Sequence, residues 1–251
     1  MSTFSHHDVQ LHFEIHGHDV SSGSPPLVLL HGFFGAGSDW TPMLDGFGRG
    51  QRIVVPDLRG HGRSTNPSGT FTHRDAAGDV LALLDALAVD RFRAVGLSGG
   101  GNTLLHIATR VPARVDAMVL VSATTHFPPQ ARAIQRDFRL DQLGAAEQAR
   151  MRERHVRGDE QLAMLLAQAR AFADSQDDLC FTPAALATIT ARTLIVHGDR
   201  DPFYPLDIAV DMYRAIVKSA LWVVPEGGHT PILTGASRDF VEVARDFLAR
   251  T

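Results

Sequence analysis

The chain has 251 residues, 44% of them hydrophobic, which suffices for one globular domain with a sizeable core. A formal net charge of -4, with both signs interspersed, provides no basic stripe for nucleic acid, and no stretch approaches the roughly 18 uninterrupted apolar residues of a membrane span. The single Cys180 excludes an intrachain disulfide, and the polar start at residues 1–8 lacks the apolar core of a signal peptide. We therefore expect a cytoplasmic protein without nucleic-acid or membrane partners.

Strand and helix patterns alternate along the chain. Residues 9–15 alternate between apolar and polar side chains, as a half-buried edge or hairpin strand does. Continuous apolar runs, typical of strands covered on both faces, follow at 27–30, 53–55, 92–97, 115–121, 193–196 and 221–224. Helical patterns lie between them at 76–88, 102–110, 206–217 and 237–250. The alternation predicts a mostly parallel sheet flanked by helices, an α/β fold.

One section departs from this alternation. Residues 124–190 contain no convincing strand and are rich in Ala, Gln, Arg and Leu, with an amphipathic helix pattern at 159–174. The turn-rich Phe127-Pro128-Pro129 stands near its beginning. A helical insertion is predicted here.

The pentapeptide Gly96-Leu97-Ser98-Gly99-Gly100 lies between a predicted strand and a predicted helix. A Gly-x-Ser-x-Gly at such a junction allows a sharp turn that presents one hydroxyl as a nucleophile, and glycines two positions either side relieve backbone crowding. The alternative is an ordinary serine at a helix N-terminus. Because that alternative does not explain the preceding glycine, the pattern favours Ser98 as a nucleophile.

A serine nucleophile needs a base and a carboxylate that orients the base. Asp199 and Asp201 follow the apolar run at 193–196, and His229 follows the last strand in a small-residue loop. Serine, then acid, then histidine is the order of a hydrolase triad. Either aspartate could be the acid of the triad. Asp201 could instead be a turn residue before Pro202, and His229 could be one of many surface histidines.

Two further motifs complete a resemblance: His31-Gly32-Phe33-Phe34 after the strand at 27–30, and residues 56–64, which read Pro-Asp-Leu-Arg-Gly-His-Gly-Arg-Ser. With the serine turn and the Asp201 and His229 turns, the whole chain resembles the α/β-hydrolase superfamily. The resemblance implies a core at 1–123 and 191–251 with a helical cap at 124–190. It also implies Asp201 as the acid and an oxyanion hole formed by the backbone N–H groups of Phe33 and Gly99.

The remaining polar motifs also fit structural roles. Asp57 and Arg59 are interpreted as an architectural pair, and glycines 99–101 lack the lysine of a phosphate-binding loop. His12, Glu14 and His16 share a strand face, which is a weak metal pattern and an ordinary solvated surface pattern. No metal or cofactor is predicted. Five apolar residues of the insertion either line a substrate pocket or hold its helices together: Phe127, Met164, Leu165, Phe172 and Phe181.

The predicted function is hydrolysis of an ester, thioester or lactone of a small or medium apolar substrate through an acyl-enzyme on Ser98. Two enzymatic alternatives use the same triad, namely carbon–carbon bond hydrolysis and a cofactor-free perhydrolase or haloperoxidase-like reaction. A ligand receptor on a hydrolase fold is the non-enzymatic alternative. The partner is expected to be a small ester-like molecule, and the sequence leaves the oligomeric state open.

Overall fold

A computed structural model describes residues 2–17, 25–48, 50–233 and 237–250. The other residues of the core predicted at 1–123 and 191–251 lie outside the described part of the chain. One eight-stranded sheet runs in the order β1-β2-β4-β3-β5-β6-β7-β8. The first two strands pair antiparallel to their neighbours and all later pairs are parallel. The strands are β1 Ser2–His6, β2 Val9–His16, β3 Leu27–Leu30, β4 Ile53–Pro56, β5 Phe92–Leu97, β6 Val115–Val121, β7 Arg192–Gly198 and β8 Ser219–Val224.

Helices cover both faces of the sheet. They are α1 Leu44–Phe47, α2 His73–Ala86, α3 Gly99–Arg110, α4 Pro129–Asp137, α5 Ala145–Arg154, α6 Gly158–Ala171, α7 Pro183–Leu186, α8 Leu206–Ala215 and α9 Ser237–Ala249. Side chains of α2, α3 and α8 belong to one core cluster, and side chains of α1 and α9 to the other. In β3, Val28 and Leu30 belong to the first cluster and Leu27 and Leu29 to the second, which explains why the strand is apolar throughout.

The predicted α/β-hydrolase architecture is confirmed, with one additional strand. β1 forms a hairpin with β2 through a turn in which His7 adopts φ 53°, and its mostly exposed side chains give no apolar signal. The strand predicted at 9–15 is present as β2, but Ile15 is 43% exposed although the alternation placed it on the buried face. In the described ranges, no helix is both long and apolar enough to cross a membrane.

Four helices, α4 to α7, lie between β6 and β7, where the sequence predicts a helical insertion. β6 and β7 are hydrogen-bonded neighbours, with Val121 opposite Val196, so both ends of the insertion leave from adjacent strands. Several hydrogen bonds tie it to the rest of the chain. For example, Arg154 Nε donates to Asp39 Oδ1 at 2.7 Å, and Gln161 Nε2 donates to the carbonyl of Gly60 at 2.8 Å. The division into a core and a cap at 124 and 190 stays a prediction.

Candidate active site

Ser98 occupies a strained turn between β5 and α3. Its backbone adopts φ 48° and ψ -112°, a combination that non-glycine residues rarely adopt, and its N–H donates to the carbonyl of Val121 at 2.7 Å. The Ser98 side chain makes no capping hydrogen bond to α3. Ser98 is thus at the N-cap position of α3, but its hydroxyl does not cap the helix and is available for another partner.

Close backbone packing explains the flanking glycines. A Cβ on Gly96 would lie 2.6 Å from the carbonyl carbon of Gly100, and a Cβ on Gly100 would lie 2.6 Å from that of Leu30. Atoms of a real side chain do not approach a backbone so closely. The motif thus needs glycine at both positions, because Gly96 and Gly100 pack against each other and Gly100 packs against the backbone of β3.

Ser98, His229 and Asp201 form a continuous hydrogen-bonded chain. Ser98 Oγ lies 2.8 Å from His229 Nε2, and His229 Nδ1 lies 2.8 Å from Asp201 Oδ2. Because a carboxylate only accepts hydrogen bonds, Nδ1 carries the proton and Nε2 is left to accept from the serine. The Asp201 side chain is fully buried, whereas Asp199 is exposed. The structure thus places Asp201, and not Asp199, against the imidazole.

The loops after β7 and β8 meet through their glycines. A Cβ on Gly198 would lie 2.5 Å from the carbonyl carbon of Gly227, and the N–H of Arg200 donates to the Gly227 carbonyl at 2.9 Å. This contact brings the Asp201 turn beside the His229 loop. The Asp201–His229 contact therefore requires glycine at position 198, where the backbone of Gly227 leaves no room for a side chain.

The two expected oxyanion donors belong to chain segments that contact each other next to Ser98. A Cβ on Gly99 would be 3.1 Å from the backbone nitrogen of Phe33, so the two segments are in close contact. Gly99 begins α3, and the Phe33 segment turns back through a 2.9 Å hydrogen bond from Gly35 N–H to the Gly32 carbonyl. Among the described residues, neither the Phe33 nor the Gly99 N–H meets a protein acceptor. The role of these two groups as an oxyanion hole stays a prediction.

Tyr204 is a site residue that the motif analysis missed. It is buried, and it lines the same cavity as Ser98 and Asn102. Burial and the charge of Asp201 raise the pKa of the Tyr204 hydroxyl, although hydrogen bonding with the Asn102 and Ser98 side chains acts in the opposite direction. The hydroxyl therefore stays protonated beside the serine. Its position three residues after Asp201 was the only available sequence signal.

A cavity of about 570 Å³ opens above Ser98 and His229. One part of its wall is aromatic, formed by Phe33, Phe34, Phe127, Phe138, Phe172 and Phe203. Another part is charged, formed by Asp39, Glu147, Arg150 and Arg154.

Two of the five apolar insertion residues singled out from the sequence, Phe127 and Phe172, line this cavity. Leu165 is instead fully buried, and Phe181 packs on His106 at a ring distance of 4.8 Å. The cavity therefore combines an aromatic surface near the serine with a charged surface.

Buried histidines support the loop that carries Phe33. The N–H of Leu58 donates to His31 Nε2 at 2.9 Å, and the Gly62 N–H donates to His155 Nδ1 at 3.0 Å. Burial lowers the pKa values of His31 and His61, and it lowers the pKa of His155 to about 4. These rings are neutral at physiological pH and act as fixed hydrogen-bonding groups.

The predicted Asp57–Arg59 pair is wrong. Asp57 Oδ1 and Oδ2 accept from the backbone N–H groups of Gly37 and Arg63, at 2.7 and 2.8 Å. Arg59 instead pairs with Asp79, its Nε lying 2.6 Å from Oδ2. Asp57 thus joins two loops near the site through its hydrogen bonds, and Arg59 forms its ion pair with a residue of α2.

The His12, Glu14 and His16 set lies on β2 as expected, with His16 Nε2 3.1 Å from Glu14 Oε2. His12 differs from the expected solvated surface because it is only 6% exposed. Within the part of the chain that the structure describes, no group of three or more His, Cys, Asp or Glu side chains has an arrangement suited to a metal ion.

Residues 25–154, more than half of the chain, match the family described as the alpha/beta hydrolase fold. The chain belongs to this family. The hydrolase is 29% identical to the 2-hydroxymuconate semialdehyde hydrolase of Pseudomonas sp. strain CF600, over 92% of this chain and 89% of that protein. It is 30% identical to the serine hydrolase BPHL of Homo sapiens, over 96% of this chain and 83% of that protein. These named relatives are hydrolases, and the chain is an enzyme of this superfamily.

Solved structures agree with this assignment. The structure titled Est816 as an N-acyl homoserine lactone degrading enzyme matches with a TM-score of 0.75 and 27% identity, over 98% of this chain and all of that one. The names of these proteins differ in the molecule that is hydrolysed or degraded, a semialdehyde for one and an N-acyl homoserine lactone for another.

Proposed function

We propose that this hydrolase cleaves the carbonyl–oxygen or carbonyl–sulfur bond of an ester, thioester or lactone through an acyl-enzyme on Ser98. The supporting observation is the pair of 2.8 Å contacts that joins Ser98, His229 and Asp201 at the base of the cavity. His229 removes the serine proton during attack and returns it to the leaving group, while Asp201 orients the ring. Water then repeats the sequence and releases the acid.

The oxyanion of each tetrahedral intermediate would be bound by the N–H groups of Phe33 and Gly99. The cavity volume and its phenylalanine side chains suit a small or medium acyl group of mainly apolar character. In this proposal the helical insertion at 124–190 is the cap, because Phe127 and Phe172 in that segment line the cavity.

Substitution of the serine tests the mechanism. Ser98→Ala is expected to lower kcat for 4-nitrophenyl butyrate by at least about 10³-fold, because it removes the nucleophile. Ser122→Ala is the matched control: Ser122 is also buried, also has φ 48° and lies at the end of the adjacent strand, away from the cavity lining. Full turnover by Ser98→Ala, or equal loss in both variants, would contradict the proposal.

Carbon–carbon bond hydrolysis on the same triad is a second candidate, favoured by the similarity to the 2-hydroxymuconate semialdehyde hydrolase. That semialdehyde contains no ester, so its hydrolysis must break a carbon–carbon bond. Parallel assays of the wild-type enzyme with this compound, followed by loss of its conjugated absorbance, and with 4-nitrophenyl butyrate separate the two candidates. A kcat/KM at least 100-fold higher for the semialdehyde would favour the second.

A further inference from the structure

A second histidine–aspartate pair lies beside the Ser98 cavity. His73, the first residue of α2, lines the cavity although the residue is only 1% exposed overall. Its Nδ1 lies 2.6 Å from Oδ2 of Asp178, a residue of the helical insertion. The two residues are 105 positions apart in the chain, and neither belongs to a sequence motif.

Asp178 fixes the orientation of the His73 ring. Its two oxygens also accept from the backbone N–H groups of His73 and Arg74, at 2.9 and 3.2 Å, and so occupy the N-terminus of α2. Burial alone would raise the pKa of Asp178, but hydrogen bonding with His106 and His73 holds it well below its ordinary value. Because the ionised carboxylate only accepts, Nδ1 of His73 carries a proton, and in the neutral ring Nε2 is left as an acceptor.

The free Nε2 points toward the oxyanion side of the nucleophile. It lies 3.6 Å from the position of a Cβ on Gly99, and the backbone nitrogen of Phe33 lies 3.1 Å from that same position. The remainder of the ring is enclosed by aromatic groups, stacked on Phe172 at 5.3 Å and edge-on to Phe71 at 5.3 Å. His73 Nε2 is thus a polar atom among aromatic rings, next to the Phe33 and Gly99 segments that would bind the substrate carbonyl oxygen.

A second polar atom of the cavity lacks a partner. Gln135, from α4, lines the cavity and is 7% exposed, and its Oε1 is buried without a hydrogen bond. An unpaired acceptor in a buried site is costly unless a ligand or water supplies a donor. The cavity therefore offers hydrogen-bond acceptors that a purely apolar acyl chain would leave unsatisfied.

From this arrangement we infer that His73 is a specificity residue that accepts a hydrogen bond from a hydroxyl on the acyl part of the substrate, one or two carbons from the scissile carbonyl. The preferred substrates are then esters, thioesters or lactones of 2- or 3-hydroxy acids. This inference rests on the proposed ester hydrolysis and narrows its substrate class. Asp178 acts through His73 as a positioning residue.

Substrates of matched shape test the inference, because a methyl group and a hydroxyl are similar in size. The 4-nitrophenyl esters of 3-hydroxybutanoate and 3-methylbutanoate form one pair, and those of 2-hydroxybutanoate and 2-methylbutanoate form the other. The wild-type enzyme is expected to prefer the hydroxy ester of at least one pair by about 3- to 10-fold in kcat/KM, the size of one neutral hydrogen bond.

Two variants of His73 then test whether the preference for the hydroxy ester depends on Nε2 of this residue. His73→Phe keeps the aromatic packing, and His73→Asn keeps a side-chain donor to Asp178, but both remove Nε2. Each is expected to bring the hydroxy-to-methyl ratio to about one, with the methyl ester still hydrolysed. His106→Asn is the control, because His106 also faces Asp178, at 3.6 Å, without lining the cavity, and it should keep the wild-type ratio.

The outcomes separate the inference from the proposed function. Absence of a hydroxyl preference in the wild-type enzyme, or an unchanged preference in both His73 variants, would overturn the role of His73 while leaving ester hydrolysis intact. Equal loss of activity on both esters of a pair would also overturn it, since that result indicates a general structural role. No Ser98-dependent turnover of any of the four esters would instead reject the proposed function.

Discussion

Asp201 contacts His229 through Oδ2, and its other carboxylate oxygen, Oδ1, stabilises the turn that contains Asp201. Oδ1 accepts from the backbone N–H groups of Phe203 and Tyr204, at 2.8 and 3.2 Å. The turn role that the sequence offered as an alternative for Asp201 is thus combined with the contact to the histidine. One side chain holds the loop and aligns the imidazole.

Asp201→Asn separates these two tasks. The amide oxygen can still accept from the turn, but the amide NH₂ then faces His229 Nδ1 and favours the tautomer that cannot accept the Ser98 proton. We expect kcat to fall by about 10³- to 10⁴-fold with little change in Tm. Steady-state kinetics and thermal unfolding measure the two effects.

Asp201→Ala should lower kcat similarly and also lower Tm, because it removes the acceptor for two backbone N–H groups. Asp199→Asn is the control, since that residue is exposed, and it should retain wild-type kinetics. If Asp199→Asn were the inactive variant and Asp201→Asn the active one, the acid would be Asp199.

The Arg154–Asp39 contact is expected to fix the insertion over the cavity. Both side chains are largely buried, with 21% and 16% exposed, and Asp39 Oδ2 also accepts from the Ala36 N–H at 3.2 Å. Arg154→Gln leaves that carboxylate without its cation, which we expect to cost about 1 to 3 kcal/mol of stability. KM for the ester substrate should rise at the same time.

Arg152→Gln provides the comparison for that variant. Arg152 pairs with Asp159 at the surface, where both side chains are about half exposed or more, so its loss should change Tm very little. Thermal unfolding and KM of the two variants, measured together, distinguish a specific contact from a general loss of charge. Equal effects of the two substitutions would show that the Arg154 contact has no special role.

Acid sensitivity should depend in part on His155. Burial lowers its pKa from 6.5 to about 4, so between these values the unfolded chain binds a proton that the folded chain does not. This difference gives His155 a contribution that lowers the stability as the pH falls from 6.5 to 4. His155→Asn should reduce the slope of the unfolding free energy against pH, by an amount that corresponds to at most about one bound proton. Urea unfolding at several pH values measures this slope. Parallel curves for wild type and variant would contradict the assignment.

The sequence predicted the parts of the site that local motifs encode. Ser98 stands in a short glycine-flanked turn that by itself indicates a nucleophile, whereas the choice of Asp201 over Asp199 came from the resemblance to the α/β-hydrolase superfamily. The His73–Asp178 pair was missed because it joins α2 to the insertion across the tertiary structure. The partner of Arg59 was wrongly predicted for the same reason: backbone N–H groups of two distant loops already occupy Asp57. Adjacency in sequence does not reveal such competition.

The pairing of β6 with β7 has a consequence for how new activities could arise on this chain. Since Val121 and Val196 lie opposite each other, the helices between them begin and end at two fixed, neighbouring points. The segment can then be lengthened, shortened or exchanged without displacing the turns that hold Ser98 and Asp201. A library restricted to this one segment, with His155 and Asp178 retained because they contact Gly62 and His73 outside it, could therefore redirect the enzyme to new molecules while Ser98, His229 and Asp201 stay in place.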